Sequence, residues 1–439
     1  MSIAGGVSMV EPKIIVSTVI FVITFALIMS EKVHRTTAAI LGAVTMVIAG
    51  TWMGFYDIDE AFRAIDLDTI GLLLGMMILL AMLERTGFFE YVAIIAARKS
   101  RGNPIILLIT LGTTTTVLSM FLDNVTTVVL IGPVTILICR MLGMNPVPYL
   151  LAEALLSDTG GVATLVGDPP NIMIGSAAKL TFMDFIIHLA PQVFMAWIIA
   201  LAVLIVVFRK TLRKKPKGLD ALMNMDLSSV LKEKENARKL IIVFTAIIVL
   251  FFLHSLIHLK PSLIAIMGAG IGLLWVRPKV EEMFSKIELA VLVFFAALFV
   301  TVGGLEHSGV LNLLAHNIVG IAKENLLLCS VIVIWGSAIA SALVDNIPFT
   351  MAMIPVIQYL ETQGIAVIPL WWALALGVGF GGNGTPIGST ANVVIVSLSE
   401  KTRTPITTAI WMRSGLVVML ATCITATLTF ILFFNFMKF

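Results

Sequence analysis

Apolar residues run through the chain in stretches of helical length, and polar residues are gathered into short breaks between them. Ten stretches are candidate membrane spans, against the roughly 17–25 residues a crossing takes: 14–30, 36–53, 67–84, 150–176, 190–208, 239–257, 261–276, 288–305, 371–397 and 414–436. Two further segments, 104–141 and 326–360, each read as a pair of apolar arms that break at Asp123-Asn124 and at Asp345-Asn346. Shorter segments of mixed polarity, 88–99 and 310–322, suit helices lying in the membrane interface. The ~10-residue alternation of a barrel strand is not the pattern here.

The breaks recur. Asp123-Asn124 returns as Asp345-Asn346 at an offset of 222, as do Phe62 in Phe284, Glu84 in Glu306, Gly87 in Gly309, Asn103 in Asn325 and Pro133 in Pro355. At an offset of 221, Gly160-Gly161 return as Gly381-Gly382, Thr164 as Thr385, Gly167 as Gly388 and Asn171 as Asn392. Two repeats follow: 1–208 (scaffold helices about 14–84, hairpin and broken helix about 104–176) and 240–439 (scaffold about 240–305, hairpin and broken helix about 326–397). Each has about five full spans plus one re-entrant helical hairpin. Five is odd, so the second half enters the membrane upside down. The expected fold is an all-α polytopic membrane protein of two inverted-topology repeats, each with one hairpin and one discontinuous helix.

Composition agrees with a membrane protein. The 439 residues are 59% hydrophobic and 13% charged, against about 25% charged in a soluble domain. The charges are segregated. The linker 209–239 holds ten basic residues and four acidic ones, so the positive-inside rule places it in the cytoplasm. Counting spans from there puts Arg98-Lys99-Ser100-Arg101, Lys32/Arg35, Lys286 and Lys401/Arg403 on the same side. The acidic loop Asp57, Asp59, Glu60, Asp66, Asp68 and both termini then fall outside, in what is expected to be the plasma (inner) membrane. Cys139, Cys329 and Cys423 are scattered in apolar segments, as small core residues would be. His254 and His258 have the i,i+4 spacing of a metal pair but lack a third ligand in view.

Four breaks carry the candidate chemistry: Asp123, Asn124, Thr126 and Thr127; Gly167, Asp168, Pro169 and Asn171; Asp345, Asn346 and Pro348; and Asn383, Thr385, Ser389 and Asn392. Gly and Pro there release backbone groups from the helix ladder, and freed carbonyls and half-helix ends bind ions. Asn, Ser and Thr add neutral oxygens of the kind hard cations prefer, which makes Asp123, Asn124, Asn171, Asp345, Asn346 and Asn392 candidate sodium ligands. A carboxylate inside an apolar segment is costly unless it serves a function. It can also exchange a proton. Glu84 and Glu306, each ahead of a Gly-containing helix end, suit capping or the interface. Glu153 and Asp158 precede the second break, where a proton relay and a hydrogen-bonded structural role are both open.

LeuAspAsnValThrThr, GlyAspProProAsn, AspAsnIleProPhe and GlyGlyAsnGlyThr…AlaAsnVal resemble the ArsB/NhaD permeases of the ion transporter superfamily, most closely the P protein branch. The resemblance spans about residues 14–436. It implies an elevator-type fold, often dimeric, in which Asp123, Asn124 and Thr126 form one hairpin tip facing Gly167–Asn171. Asp345, Asn346 and Pro348 form the other, facing residues 384–392. Dicarboxylate relatives carry SerAsnThr at the tips; AspAsn there argues against a di- or tricarboxylate, which the extra negative charge would repel.

The expected function is secondary active transport of a small ionic or uncharged solute coupled to sodium or protons, with cation/proton exchange foremost. Arsenite or antimonite efflux, or a small-anion (carboxylate-type, citrate transporter-like) permease, is the alternative on the same fold. No cofactor is expected. A homodimer is. An intramembrane aspartyl protease would need tyrosine-aspartate and Gly-x-Gly-Asp signatures absent from the sequence, so no enzyme activity is expected.

Overall fold

The computed structural model describes residues 11–30, 32–213 and 216–439. The expected external N-terminus (1–10) and Lys214-Lys215 of the basic linker lie outside the described residues. Every regular element described is helical. In the first half these are α1 (Pro12–Met29), α2 (Arg35–Met53), α3 (Ile58–Ala64), α4 (Leu67–Arg85), α5 (Phe88–Lys99), α6 (Pro104–Ser119), α7 (Asn124–Met141), α8 (Val147–Gly161), α9 (Pro169–Ala178), α10 (Phe182–His188) and α11 (Ala190–Val207). The linker forms α12 (Leu219–Met223) and α13 (Leu227–Val230). Then come α14 (Lys234–Ile257), α15 (Pro261–Val276), α16 (Val280–Phe284), α17 (Leu289–His307), α18 (Val310–Glu324), α19 (Leu326–Leu343), α20 (Asn346–Thr362), α21 (Ile368–Gly381), α22 (Thr390–Glu400) and α23 (Thr408–Leu432).

Nine helices among the described residues are long and apolar enough to cross a membrane. The difference from the sequence expectation has a local cause. The runs at 150–176 and 371–397 are each cut in two, into α8/α9 and α21/α22, while α15 is only 16 residues long. The paired arms instead supply α7 and α19. Helix starts keep the sequence offset: α3, α4, α5, α6 and α7 recur as α16, α17, α18, α19 and α20 at 222 residues, and α8 and α9 as α21 and α22 at 221.

The matched residues turn out to be helix punctuation. Asn103 accepts from the amides of Ile105 and Ile106 to cap α6, and Asn325 accepts from that of Leu328 to cap α19. Gly87 and Gly309 start α5 and α18 with φ of 78° and 87°, a left-handed conformation that glycine tolerates best. Pro133 and Pro355 sit inside α7 and α20, where proline removes a ladder bond and favours a bend.

Two packed groups result. One joins α1, α2, α4, α14, α15 and α17; the other joins α6–α9 and α11 with α19–α23. Helix α8 is buried along its whole length and α21 from Pro369 to Gly381, so the second group is built around its two interrupted helices. Helix α5 packs on α6 and α7, with Phe89, Ala93, Ile94, Ala96 and Ala97 buried. The linker is tied to the α4–α5 and α7 ends: the Lys232 amide donates to the Thr86 carbonyl, the Lys217 amide to that of Leu142, and Arg98 to those of Leu222 and Met225. Lys286 pairs with Glu84 at 2.8 Å on that same face. The opposite face carries the acidic loop, where Lys260 reaches Asp68.

Candidate functional site

Each aspartate of the AspAsn pairs is first a helix cap. Asp123 Oδ1 accepts from the Thr126 amide at 2.9 Å and Oδ2 from the Thr126 hydroxyl at 2.5 Å, which fixes the start of α7. Asp345 Oδ1 accepts from the Ile347 amide at 3.1 Å to start α20. The tips then diverge. At the place of Thr126 the second tip has Pro348, which has no N–H and no hydroxyl to offer. Asp345 Oδ2 accepts instead from the Thr390 hydroxyl at 2.8 Å and lies 3.5 Å from Arg35 Nη1. That same Arg35 nitrogen donates to Thr390 Oγ1 at 2.6 Å, and its guanidinium lies over the Phe294 ring. Thr127 ties its hydroxyl back to the Asp123 carbonyl at 3.0 Å.

The two asparagines cross between halves. Asn124 donates to Asp158 Oδ1 at 2.7 Å and approaches Ser389 Oγ, the residue that caps α22, at 3.4 Å. Asn346 donates to Asp168, the residue before α9, at 3.2 Å. The tip of each half therefore rests on the helix break of the other, and α7 packs on α22 as α20 packs on α9.

The breaks themselves are locked by matched bonds. The Asn171 amide nitrogen donates to the carbonyls of Gly161, Val162 and Thr164. That of Asn392 donates to Gly382 and Thr385. These are carbonyls that the interrupted helices leave free. Thr164 and Thr385 bond back to Met120 and Ala342 at the hairpin ends. Gly167 and Gly388 permit the tight crossing: a Cβ at either would lie 2.5 Å from the carbonyl oxygen of Gly161 or Gly382. Pro169 opens α9, where its missing N–H is no loss. Asn383 donates to Thr159 at 3.2 Å, and its carbonyl receives the Trp411 indole at 3.1 Å.

A cavity of about 260 Å³ meets this crossing and is lined by Asp123, Asn124, Thr126, Asp168, Asn346 and Ser389. Glu84 and Lys286 line it on the linker face, and Arg35 and Glu288 also contribute to its wall. Asp345 lines an adjoining cavity of about 280 Å³, with Arg35 and Thr390 shared between the two. The tip aspartates thus face neighbouring spaces, and only their asparagines share one. Of the residues singled out from sequence, Thr127, Gly167, Asn171, Pro348, Asn383, Thr385 and Asn392 brace the site without lining either cavity. Arg35 and Asp158 were not among those site residues. Arg35 reads in sequence as an ordinary basic flank, and its partner lies 310 positions away, between Arg35 and Asp345. His254 accepts from the Phe182 amide at 3.1 Å, and no group of three or more His, Cys, Asp or Glu suited to a metal occurs among the described residues.

Known proteins agree with this architecture. A sequence profile described as citrate transporter (CitMHS) matches residues 25–377. The 46 kDa membrane protein of Mycobacterium leprae is 38% identical over 414 residues, covering 92% of this chain and 95% of that one. An uncharacterized transporter of Mycobacterium tuberculosis is 39% identical over 412 residues with the same coverage, 92% and 95%. Human P protein is 33% identical across 94% of this chain and 59% of its own length. The crystal structure of the YdaH transporter of Alcanivorax borkumensis aligns with a TM-score of 0.61 over 96% of this chain and 98% of that one; at 15% identity the likeness is one of fold. The chain belongs to the CitMHS family, within the ArsB/NhaD-like group of the ion transporter superfamily, and is a multi-pass membrane transporter rather than an enzyme.

Proposed function

We propose that this transporter is secondary active, carrying a small ion or solute through the crossed site in exchange for, or together with, sodium or protons. Cation/proton exchange is the reading the acidic tips favour. The observation that carries it is the reciprocal contact: Asn124 and Asn346, one from each half, meet the opposite half's break beside Asp123 and Asp168 in one cavity. Asp123, Asp168 and the oxygens of Asn124, Asn346 and Ser389 form the oxygen-rich set a hard cation requires. Asp345 already has Arg35 beside it, so Asp123 is the tip acid whose charge is left for a cargo cation. Asn171 spends its amide on the break. Asn392 does likewise.

In this reading 1–208 and 240–439 are inverted repeats, the 209–239 linker is cytoplasmic and both termini are external. Residues about 104–176 and 326–397 move together against the scaffold, and two copies form the functional dimer. Flux into proteoliposomes is the test, with sodium, lithium, arsenite and citrate as probes under imposed sodium or proton gradients. Asp123→Asn is expected to abolish cation flux. Asp345→Asn is expected to weaken it and alter its pH dependence. Wild-type flux and pH profile in both variants would reject the role of the tips.

Small-anion carriage is the second reading. Arg35 and Lys286 line the same cavity as the tips, and the matching family takes its description from citrate. Citrate flux that survives Asp123→Asn but fails in Arg35→Gln would select it.

A further inference from the structure

Arg35 opens α2, in the first packed group, while Asp345 and Thr390 stand at the starts of α20 and α22 in the other. A cation at a helix start opposes the helix dipole, so the position is unfavourable without a partner. The guanidinium lies 5.4 Å from the centre of the Phe294 ring, on α17 of its own group. Nη1 then crosses to Thr390 Oγ1 at 2.6 Å and to Asp345 Oδ2 at 3.5 Å. Among the described residues this is the sole ion pair between the two groups.

The other half of the repeat shows why this arginine leaves its own group. Helix α15 precedes α16 and α17 as α2 precedes α3 and α4. Ser262, the second residue of α15, donates to Asp68 at 3.0 Å, and the adjoining Lys260 pairs with the same acid. Thr36, the second residue of α2, donates instead to the Ala290 carbonyl at 2.9 Å, and Ala290 stands 222 residues after Asp68. The basic residue at α15 therefore finds an acid in its own group, whereas the one at α2 meets alanine and reaches the tip. Glu288 lies within electrostatic reach of Arg35 but makes no ion pair with it among the described residues. The first tip has no such tie, because Asp123 Oδ2 takes the Thr126 hydroxyl. Asp345 Oδ1 caps α20, so Oδ2 is the oxygen open to a cation, and Arg35 already sits there. A guanidinium stays charged at any working pH.

We propose that Arg35 is the internal counter-ion of this transporter: it tethers the second tip to the scaffold and competes with the cargo cation for Asp345. The competition rests on the proposed cation transport; the tether rests on the contacts themselves. A cation that takes Asp345 Oδ2 displaces the guanidinium and frees residues about 326–397 from α2. Movement of the tip then becomes conditional on its cargo.

Spin labels on the purified full-length protein at Glu281→Cys and Lys401→Cys, one exposed site in each group, test the tether. The native cysteines are buried and stay unlabelled. One narrow distance is expected with Arg35 in place, and a broadened or second distance in Arg35→Gln. Arg35→Lys should restore the narrow distance. Phe294→Leu, which loosens the anchor without touching the tip, should shift the distribution the same way by less, and it serves if Arg35→Gln does not fold. Unchanged distances in the glutamine and leucine variants overturn the tether. Competition is read from thermal stabilisation by sodium or lithium, with choline holding ionic strength constant. Arg35→Gln should bind the probe cation about tenfold more tightly, as removal of a unit charge beside the site predicts. A residue that merely braced the site would weaken binding when lost, so unchanged or weaker binding overturns the competition. Stabilisation of the wild type by citrate that vanishes in Arg35→Gln makes the arginine an anion ligand and overturns it too. If no probe cation stabilises either protein, the competition falls with the cation reading, while the spin-label distances still decide the tether.

Discussion

At the level of single residues, the site rests on atoms that cannot be enlarged. A Cβ on Gly167 would strike backbone oxygens of both Gly161 and Ser119, at 2.5 and 2.7 Å. Backbone cannot swing aside as a side chain can, so the overpacking cost of about 1–3 kcal/mol applies in full. Gly167→Ala and Gly388→Ala should each lower the melting temperature in detergent. Gly270 and Gly336 have nothing within 4 Å of the place a Cβ would take. Alanine there is expected to be neutral or to add up to ~1 kcal/mol, through helix propensity. Equal effects in all four variants would mean that the close crossing of the break is not as described. The glycines, the AspAsn tips and the break asparagines were legible in the sequence, because each is expensive inside an apolar segment and each returns at one spacing. Asp158 was visible as a buried acid with a proton relay and a structural role both open, but the residues it contacts were not visible. Its partners Asn124 and Ser389 come from other elements, and no local pattern announces them.

Among elements, the interrupted helices are held by side-chain amides in place of their own ladder. Asn171 serves three carbonyls and Asn392 two. Replacing either with leucine leaves buried carbonyls without donors, at roughly 1–3 kcal/mol. Asn171→Leu should therefore lower stability, and Asn392→Leu should do so by a similar amount. The helix caps Asn103 and Asn325 give a milder comparison, about 1 kcal/mol each on substitution by alanine. Thermal melting of the purified variants ranks the four. Cap variants that prove worse than the leucine variants would contradict the bracing role. Helix existence and the positions of the breaks were readable from hydropathy and from proline and glycine. The cross-over of tips and breaks was not: Asn124 meets Ser389 across 265 residues and Asn346 meets Asp168 across 178. Hydrophobic periodicity carries no record of such pairings.

For the whole molecule, the cavity at the tips shares Glu84 and Lys286 with the surface where the linker docks, since both also line a groove with Val230, Lys232 and Glu233. A separate crevice of about 230 Å³, lined by Asp66, Ser176, Glu306 and Gln358, lies on the side of the acidic loop. Its wall includes Val302, Glu306 and Met351, the 222-offset partners of Leu80, Glu84 and Val129 in the tip cavity. The three native cysteines are buried, so introduced cysteines report cleanly. A membrane-impermeant thiol reagent should label Lys286→Cys from the cytoplasm and Gln358→Cys from outside. Labelling of both from one side would overturn the proposed orientation and the proposed inverted arrangement with it.

Gradient-driven flux of the probe ions in proteoliposomes, comparing Asn124→Ala and Asn346→Ala with the wild type, asks the central question most directly. If one site draws on both tips, either substitution alone should reduce flux about tenfold or more, the equivalent of losing one buried hydrogen bond of some 1.4 kcal/mol. Wild-type flux in either variant, with the protein folded, would contradict a shared site.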